Sequence, residues 1–301
     1  TAFVVLMIAF MASSITAMRQ VQPIREMVQA TRQYAEGDFD VRMKDYGQRD
    51  EMGELAASFN NMAESFQQTE RQRREFIANI SHELKTPMTS ILGYADLLRR
   101  GTLSPAEQAQ AANYIFSEAK RLERLSLKLL DLYLAEHQTP ELLPASPAAL
   151  LRDLAAPLTP VLAQEGISLV VQGEEGLCLL EPDLFRSLVL NLLDNARKAM
   201  EGPGTITAAV TLTDSGCRLT VQDTGRGVPP EALAHLTEAF YRVDKSRSRA
   251  QGGAGLGLTL CDRVAALHGG QLHLESQPGQ GTTVTVTLKG GRPCPPDSPP
   301  C

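Results

Sequence analysis

Between residues 51 and 137 apolar residues recur at spacings of three and four, the period of a helix with one buried stripe. Met52, Leu55, Phe59, Met62 and Phe66 form one such series. Ile77, Leu84, Ile91 and Leu98 repeat by seven, with Ile80, Pro87 and Tyr94 at the positions between them. Gly101 stops that helix, and Ser104 followed by Pro105 supplies the cap and first-turn pair of another. In the second helix Ile115, Leu122 and Leu129 repeat by seven, with Leu125 and Leu132 between. Two helices with one seam each bury it fully only when two copies of the chain form a four-helix bundle. The two frames do not join in phase: the step from Phe76 to Ile80 to Leu84 is a stutter, which locally unwinds a coiled coil.

The pattern changes on either side of this region. Residues 1–18 carry no charge, and Arg19, Arg25, Arg32, Lys44 and Arg49 follow. That arrangement predicts the end of a transmembrane helix, with the remainder in the cytoplasm by the positive-inside rule. Pro23 opens a helix carrying Ile24, Val28 and Thr31, and the segment Gly37 to Val41 breaks it. Residues 138–147 (QTPELLPASP) form a proline-rich linker, and residues 148–289 alternate strand-like with helix-like runs, predicting an α/β domain. Residues 290–301 are rich in proline and read as a disordered tail.

Composition narrows the function classes. A net charge of −6, no tryptophan and 5% aromatic residues argue against a nucleic-acid partner. Cys178, Cys217 and Cys261 stand alone without metal-ligand spacing and read as reduced thiols near a core. Of the five histidines, His137, His235, His268 and His273 read as surface or strand residues. His82 differs. In the seven-residue frame it falls at the position farthest from the seam, so it faces solvent. Glu83 is its neighbour, and Lys85 and Thr86, three and four residues on, share its side of the helix. Pro87 removes a helix donor just after this cluster and is expected to bend the helix.

The stretch FIANISHELKTPMTSILGY around His82 resembles the H box of the bacterial sensor histidine kinases, the membrane-bound half of two-component systems. The upstream segment DEMGELAASFNNM is similar to a HAMP signalling module. Further on, NLLDNARKAM (Asn191 to Met200) resembles the N box. Asn191 and Asn195 lie four apart on one helix face, and Lys198 is placed to meet a phosphate. Ala199 stands where many relatives carry an aromatic residue. VQDTGRGVPPE resembles the G1 box, with Asp223 as a buried acceptor and Gly225 and Gly227 allowing a tight turn. Phe240, Tyr241 and Arg242 resemble the F box; the glycine-rich run through Gly253, Gly255, Leu256 and Gly257 resembles the G2 box GxGLGL; and Thr283 lies in a stretch similar to G3.

The resemblance implies a fold and an activity. The fold is an α-helical HAMP module (residues 19–70), then a dimerisation four-helix bundle with two helices per subunit (71–137). An α/β sandwich of the gyrase, chaperone and histidine-kinase (Bergerat) type follows at 148–289. The activity is autophosphorylation of His82 from ATP, with Glu83 orienting the imidazole, Asn195 binding Mg²⁺ and Asp223 accepting from the adenine amino group. The remaining N, G1, F, G2 and G3 residues hold nucleotide. Implied partners are a second copy of the chain, a response regulator receiver domain whose aspartate takes the phosphoryl group, and the inner membrane. Thr86 matches the threonine that serves regulator dephosphorylation. Two other classes compete, an ATP-driven machine of the gyrase and chaperone superfamily and a nucleotide-binding scaffold without enzymatic activity. The first is disfavoured by Asn191, because an asparagine cannot act as the general base that a glutamate supplies there.

Overall fold

A computed structural model describes residues 2–44, 51–137, 140–243 and 254–290. The chain divides into two compact units, residues 1–81 and 82–301. The first unit holds helix α1 (Ala2–Ala35), a connector, and the beginning of α2 (Glu51–Arg100). Its core is small: Ala30, Met43, Ala56, Phe59 and Ala63, with Met27, Tyr34 and Val41 packed against it. Asn60 fixes the connector, accepting from the Met43 N–H at 2.7 Å and donating to the Met43 carbonyl at 3.0 Å. The inward face of α2 here is Ala56, Phe59 and Ala63, while Leu55, Met62 and Phe66 of the predicted seam stay exposed.

One expectation for this unit changes. Pro23 does not open a helix, because α1 runs unbroken through it from Ala2. Among the described residues no helix is long and apolar enough to cross a membrane. Phe3 through Ile8, with Phe10 and Met11, are nonetheless all at least 58% exposed, an apolar surface that water does not favour.

In the second unit, α2 continues past His82 to Arg100 and turns back through Gly101 (φ +67°) into α3 (Pro105–His137). Ser104 and Glu107 form the predicted N-terminal cap: Glu107 Oε2 accepts from the Ser104 N–H at 2.8 Å, and Ser104 Oγ from the Glu107 N–H at 3.4 Å. Helix α2 remains helical through Pro87, whose ring is buried. Leu125 and Leu132 of the α3 seam are buried, whereas Ile77, Leu92, Phe116 and Leu127 are more than half exposed.

The α/β domain follows. Strand β1 (Leu143–Ala145) lies inside the segment read as linker and pairs antiparallel with β3 (Cys178–Leu180). A five-stranded sheet has the order β2 (Ile167–Gly173), β4 (Gly204–Thr213), β5 (Gly216–Asp223), β7 (Gly281–Leu288), β6 (Gln271–Gln277). Only the β2–β4 pair is parallel. Helices α4 (Pro147–Gln164), α5 (Pro182–Ala199) and α7 (Gly257–Leu267) supply the apolar cover, and α6 (Pro230–Leu233) is a single turn. Alternation in the strands sets the two faces. Leu219, Val221 and Asp223 of β5 and Val286 and Leu288 of β7 are buried, while Thr283, Thr285 and Thr287 occupy the other face of β7. Against this sheet α5 buries Phe185, Leu188, Val189, Leu192, Leu193 and Ala196.

His268 departs from the surface reading. It caps α7 at 2% exposure; its Nδ1 lies 2.8 Å from the Val264 carbonyl, and its Nε2 accepts from the Glu181 N–H at 3.0 Å. Its position one residue past an apolar helix buries it, and burial holds its pKa below the ordinary value.

Candidate functional site: a carboxamide and carboxylate pocket beside a histidine hairpin

Helix α5 presents Asn191 from within its buried face, at 8% exposure, because the four-residue step from Ser187 keeps it on the apolar side. Its Nδ2 donates to the Ser187 carbonyl at 2.8 Å, which leaves Oδ1 pointing outward as an acceptor. Asn195, one turn on, joins it at the start of α7. A Cβ on Gly257 would sit 3.2 Å from Asn191 Oδ1 and 3.3 Å from Asn195 Nδ2. Glycine therefore lets the α7 N-terminus approach both carboxamides, and a helix N-terminus favours an anion.

Asp223 ends β5 on the helix-covered face at 5% exposure. Its Oδ1 accepts from the Gly225 N–H at 2.8 Å and the Thr282 N–H at 3.3 Å. Burial raises its pKa, and the two backbone donors oppose that. Gly225 cannot carry a side chain, since a Cβ would lie 2.6 Å from the Ala199 carbonyl oxygen. Gly227, at φ +67°, would place one 2.0 Å from the Gln277 carbonyl. Phe240 holds φ +67°, uncommon for a bulky side chain, and its N–H donates to the Gly255 carbonyl at 2.8 Å. Gly255 is required there, because a Cβ would meet the Phe240 backbone at 2.9 Å. Leu256, 1% exposed, anchors the start of α7, and the Tyr241 ring lies 5.4 Å from that of His235, tilted by 35°.

Two of the expected residues have nearer partners within the α/β domain, and a third is not described. Lys198 ion-pairs with Asp194 Oδ2 at 2.6 Å, four residues back on its own helix. Thr283 lies on the far face of β7 from Asp223; strand parity makes Thr282 the residue that meets the carboxylate. Gly253 lies outside the described residues, as do Lys245, Arg247 and Arg249.

On the hairpin His82 is exposed, as the seven-residue frame predicts. Thr86 lies one turn along, its hydroxyl donating to the His82 carbonyl at 3.2 Å. Glu83 is not turned to solvent. Its Oε2 lies 3.1 Å from Arg121 Nη2 on α3 and 3.1 Å from Arg242 Nη2 of the α/β domain. The Arg242 side chain is 7% exposed. Its Nε and Nη2 are both buried without a hydrogen bond, so the Glu83 contact is a charge pair without hydrogen-bond alignment. A second bridge joins the same elements: Lys128 Nζ donates to Asn191 Oδ1 at 3.0 Å. Burial, then the Lys198 charge, lowers the Lys128 pKa. Asp131 Oδ2 accepts from Ser187 Oγ at 3.2 Å. Arg121 and Lys128 carry no local sequence signal, since on α3 they read as ordinary charged positions.

The chain matches three family models. Residues 15–68 match the HAMP domain, residues 72–138 the His Kinase A (phospho-acceptor) domain, and residues 181–292 the Histidine kinase-, DNA gyrase B-, and HSP90-like ATPase. This chain has the domain make-up of a sensor histidine kinase. Sensor histidine kinase YkoH of Bacillus subtilis (strain 168) is 33% identical over 298 residues, covering 94% of this chain and 63% of YkoH. A crystal structure of full-length ShkA in complex with AMPPNP is 28% identical, with TM-score 0.53, covering 72% of this chain and 46% of ShkA. Histidine kinase ThkA, solved in complex with response regulator protein TrrA, shares the fold at TM-score 0.59 and 18% identity, covering 75% of this chain and 66% of ThkA. The chain spans 60% to 63% of the length of the first curated relatives it matches. The histidine-kinase architecture is thus a helical HAMP and phosphoacceptor region followed by an α/β ATPase domain with a mixed sheet.

The residues fit a magnesium nucleotide. Two carboxamides meet a glycine-started helix, and a buried carboxylate keeps one oxygen clear of protein donors among the described residues. Among those residues no cluster of three or more His, Cys, Asp or Glu could hold a metal, which leaves carboxamide and phosphate oxygens as the donors such an ion would use.

Proposed function

We propose that the chain is a protein-histidine kinase that phosphorylates His82 from ATP and passes the phosphoryl group to an aspartate of a response regulator. The observation that carries the reading is the pairing of an exposed histidine on a two-helix hairpin with buried Asp223 and the glycine-flanked Asn191 and Asn195 carboxamides on the adjoining α/β domain. The ATPase-domain match and the AMPPNP-bound relative support ATP as the donor. Magnesium, held through Asn195, would offset phosphate charge.

The chemistry falls to a few side chains. One nitrogen of the His82 ring offers its lone pair to the γ-phosphorus. A nitrogen–phosphorus bond forms, the bond to the leaving oxygen breaks, and ADP departs. Glu83 accepts a hydrogen bond from the N–H of the other ring nitrogen, fixing the tautomer before attack. Asp223 accepts from the adenine amino group through its open oxygen. The Asn191 side chain lacks a basic oxygen to activate water, so ATP survives until His82 meets it. Thr86, on the His82 face, serves the reverse reaction by positioning water against the phosphorylated regulator.

Apolar residues left exposed on α2 and α3, among them Ile77, Leu92, Phe116 and Leu127, support a homodimer, with two hairpins closing one bundle. The exposed apolar start of α1 supports membrane attachment there, with the kinase in the cytoplasm. The test is transfer of label from γ-labelled ATP. Label enters the wild-type chain and is absent from His82→Gln; equal labelling of both would sink the assignment.

A further inference from the structure

The contacts between the hairpin and the α/β domain draw on groups the chemistry needs. Glu83, which would orient His82, is held by Arg242 and Arg121 on one oxygen at 3.1 Å each. Asn191, whose side-chain oxygen faces the start of α7, is held by Lys128 at 3.0 Å. We propose that this arrangement is a self-inhibited state latched by Lys128, in which docking takes one group from each half of the phosphoryl transfer. The inference rests on the kinase reading above.

Three observations carry it. First, Lys128 comes from the phosphoacceptor hairpin and not from the nucleotide domain, so its ammonium stands in the pocket only while the two are docked. It puts a cation on a carboxamide beside Asn195, where a bound metal ion would repel it. Second, the Arg242 bridge is poorly satisfied: two of its buried nitrogens lack a hydrogen bond. Such a contact is costly to hold and readily released. Third, Arg121 lies on the same hairpin as Glu83 and stays with it, whereas Arg242 moves with the α/β domain. Undocking therefore changes the carboxylate from two cationic neighbours to one. An acceptor facing fewer cations is a stronger acceptor for the His82 N–H.

Linkage makes the idea measurable. A ligand that needs the undocked state binds with an apparent affinity reduced by the fraction already undocked. The experiment compares wild type with Lys128→Met, which keeps the aliphatic stem, and Lys128→Arg, which keeps the cation. Binding of magnesium AMPPNP to the full chain is measured by calorimetry. In parallel, spin labels at Ser117→Cys and Ser215→Cys, with Cys294 and Cys301 replaced by serine, report the hairpin-to-domain distance.

Lys128→Met is expected to bind the nucleotide roughly three- to tenfold tighter and to broaden the distance distribution. Lys128→Arg is expected to stay near wild type in both. Unchanged or weaker binding by Lys128→Met, with an unchanged distance distribution, overturns the latch. If no protein binds nucleotide, the kinase reading fails, and the distances alone then decide the latch: broadened in Lys128→Met supports it, unchanged refutes it.

Discussion

Asp223→Asn isolates one atom of the proposed nucleotide pocket. In the wild-type chain Oδ1 is spent on the Gly225 and Thr282 N–H groups, so the ligand-facing atom is the other oxygen. An asparagine can keep its carbonyl oxygen on those two donors, and its amide nitrogen then replaces the ligand-facing acceptor. A donor facing the adenine amino donor loses a hydrogen bond to a charged acceptor, about 1.5–3 kcal/mol. At about 1.4 kcal/mol per tenfold, ADP binding should weaken roughly 10- to 150-fold. The fold should survive, because the change removes a charge whose burial already raises the Asp223 pKa. The same nitrogen faces favourably toward the carbonyl oxygen of guanine, so the preference for ADP over GDP should narrow or reverse. Calorimetric titration of both nucleotides, with thermal melting as a control, measures this. ADP affinity within twofold of wild type in a folded variant would refute the reasoning. In the wild type, binding should also fall with pH as Asp223 protonates, above the pH at which an ordinary aspartate does.

Other outcomes follow from named contacts. His268 is held neutral by burial, so its folded pKa is lower than its unfolded one. The stability this contributes is present above about pH 6.5 and is lost as pH falls through the lowered pKa, by at most ~1.4 kcal/mol per pH unit. Denaturant midpoints of the α/β domain should therefore drop between pH 7 and 5, and His268→Gln should flatten that slope while lowering the plateau. Gly281→Ala should destabilise the domain by about 2 kcal/mol or more in chemical denaturation, because a Cβ would sit 1.9 Å from the Asp223 carbonyl at φ +93°. A change under about 0.5 kcal/mol would mean that backbone can shift.

Much of this was legible because its signals are local. The repeat of Ile77, Leu84, Ile91 and Leu98 fixes a helical phase, and that phase puts His82 outward with no knowledge of the rest of the fold. Gly225, Gly227 and Gly255 likewise announce close backbone approaches that the structure contains. Less legible was anything set by a partner distant in the chain. Nothing near Glu83 says that Arg121 and Arg242 will reach it, and nothing near Lys128 points to Asn191. That Thr282 and not Thr283 meets Asp223 follows from strand pairing, because alternation makes neighbours in a strand face opposite ways. His268 looked like surface because a polar residue after a helix usually is; here the turn into β6 folds it beneath Glu181. Lys198 looked free for phosphate because its pairing with Asp194 competes at equal range on the same helix.

The hydrogen bond from Phe240 to Gly255 clips together the two ends of the intervening segment. Once its ends are fixed, a segment's length becomes nearly a free parameter, since doubling it costs only about 0.6 kcal/mol of closure entropy. The number of residues between these two positions is therefore a weak determinant of stability: the clip, and not that count, holds Phe240 beside the start of α7.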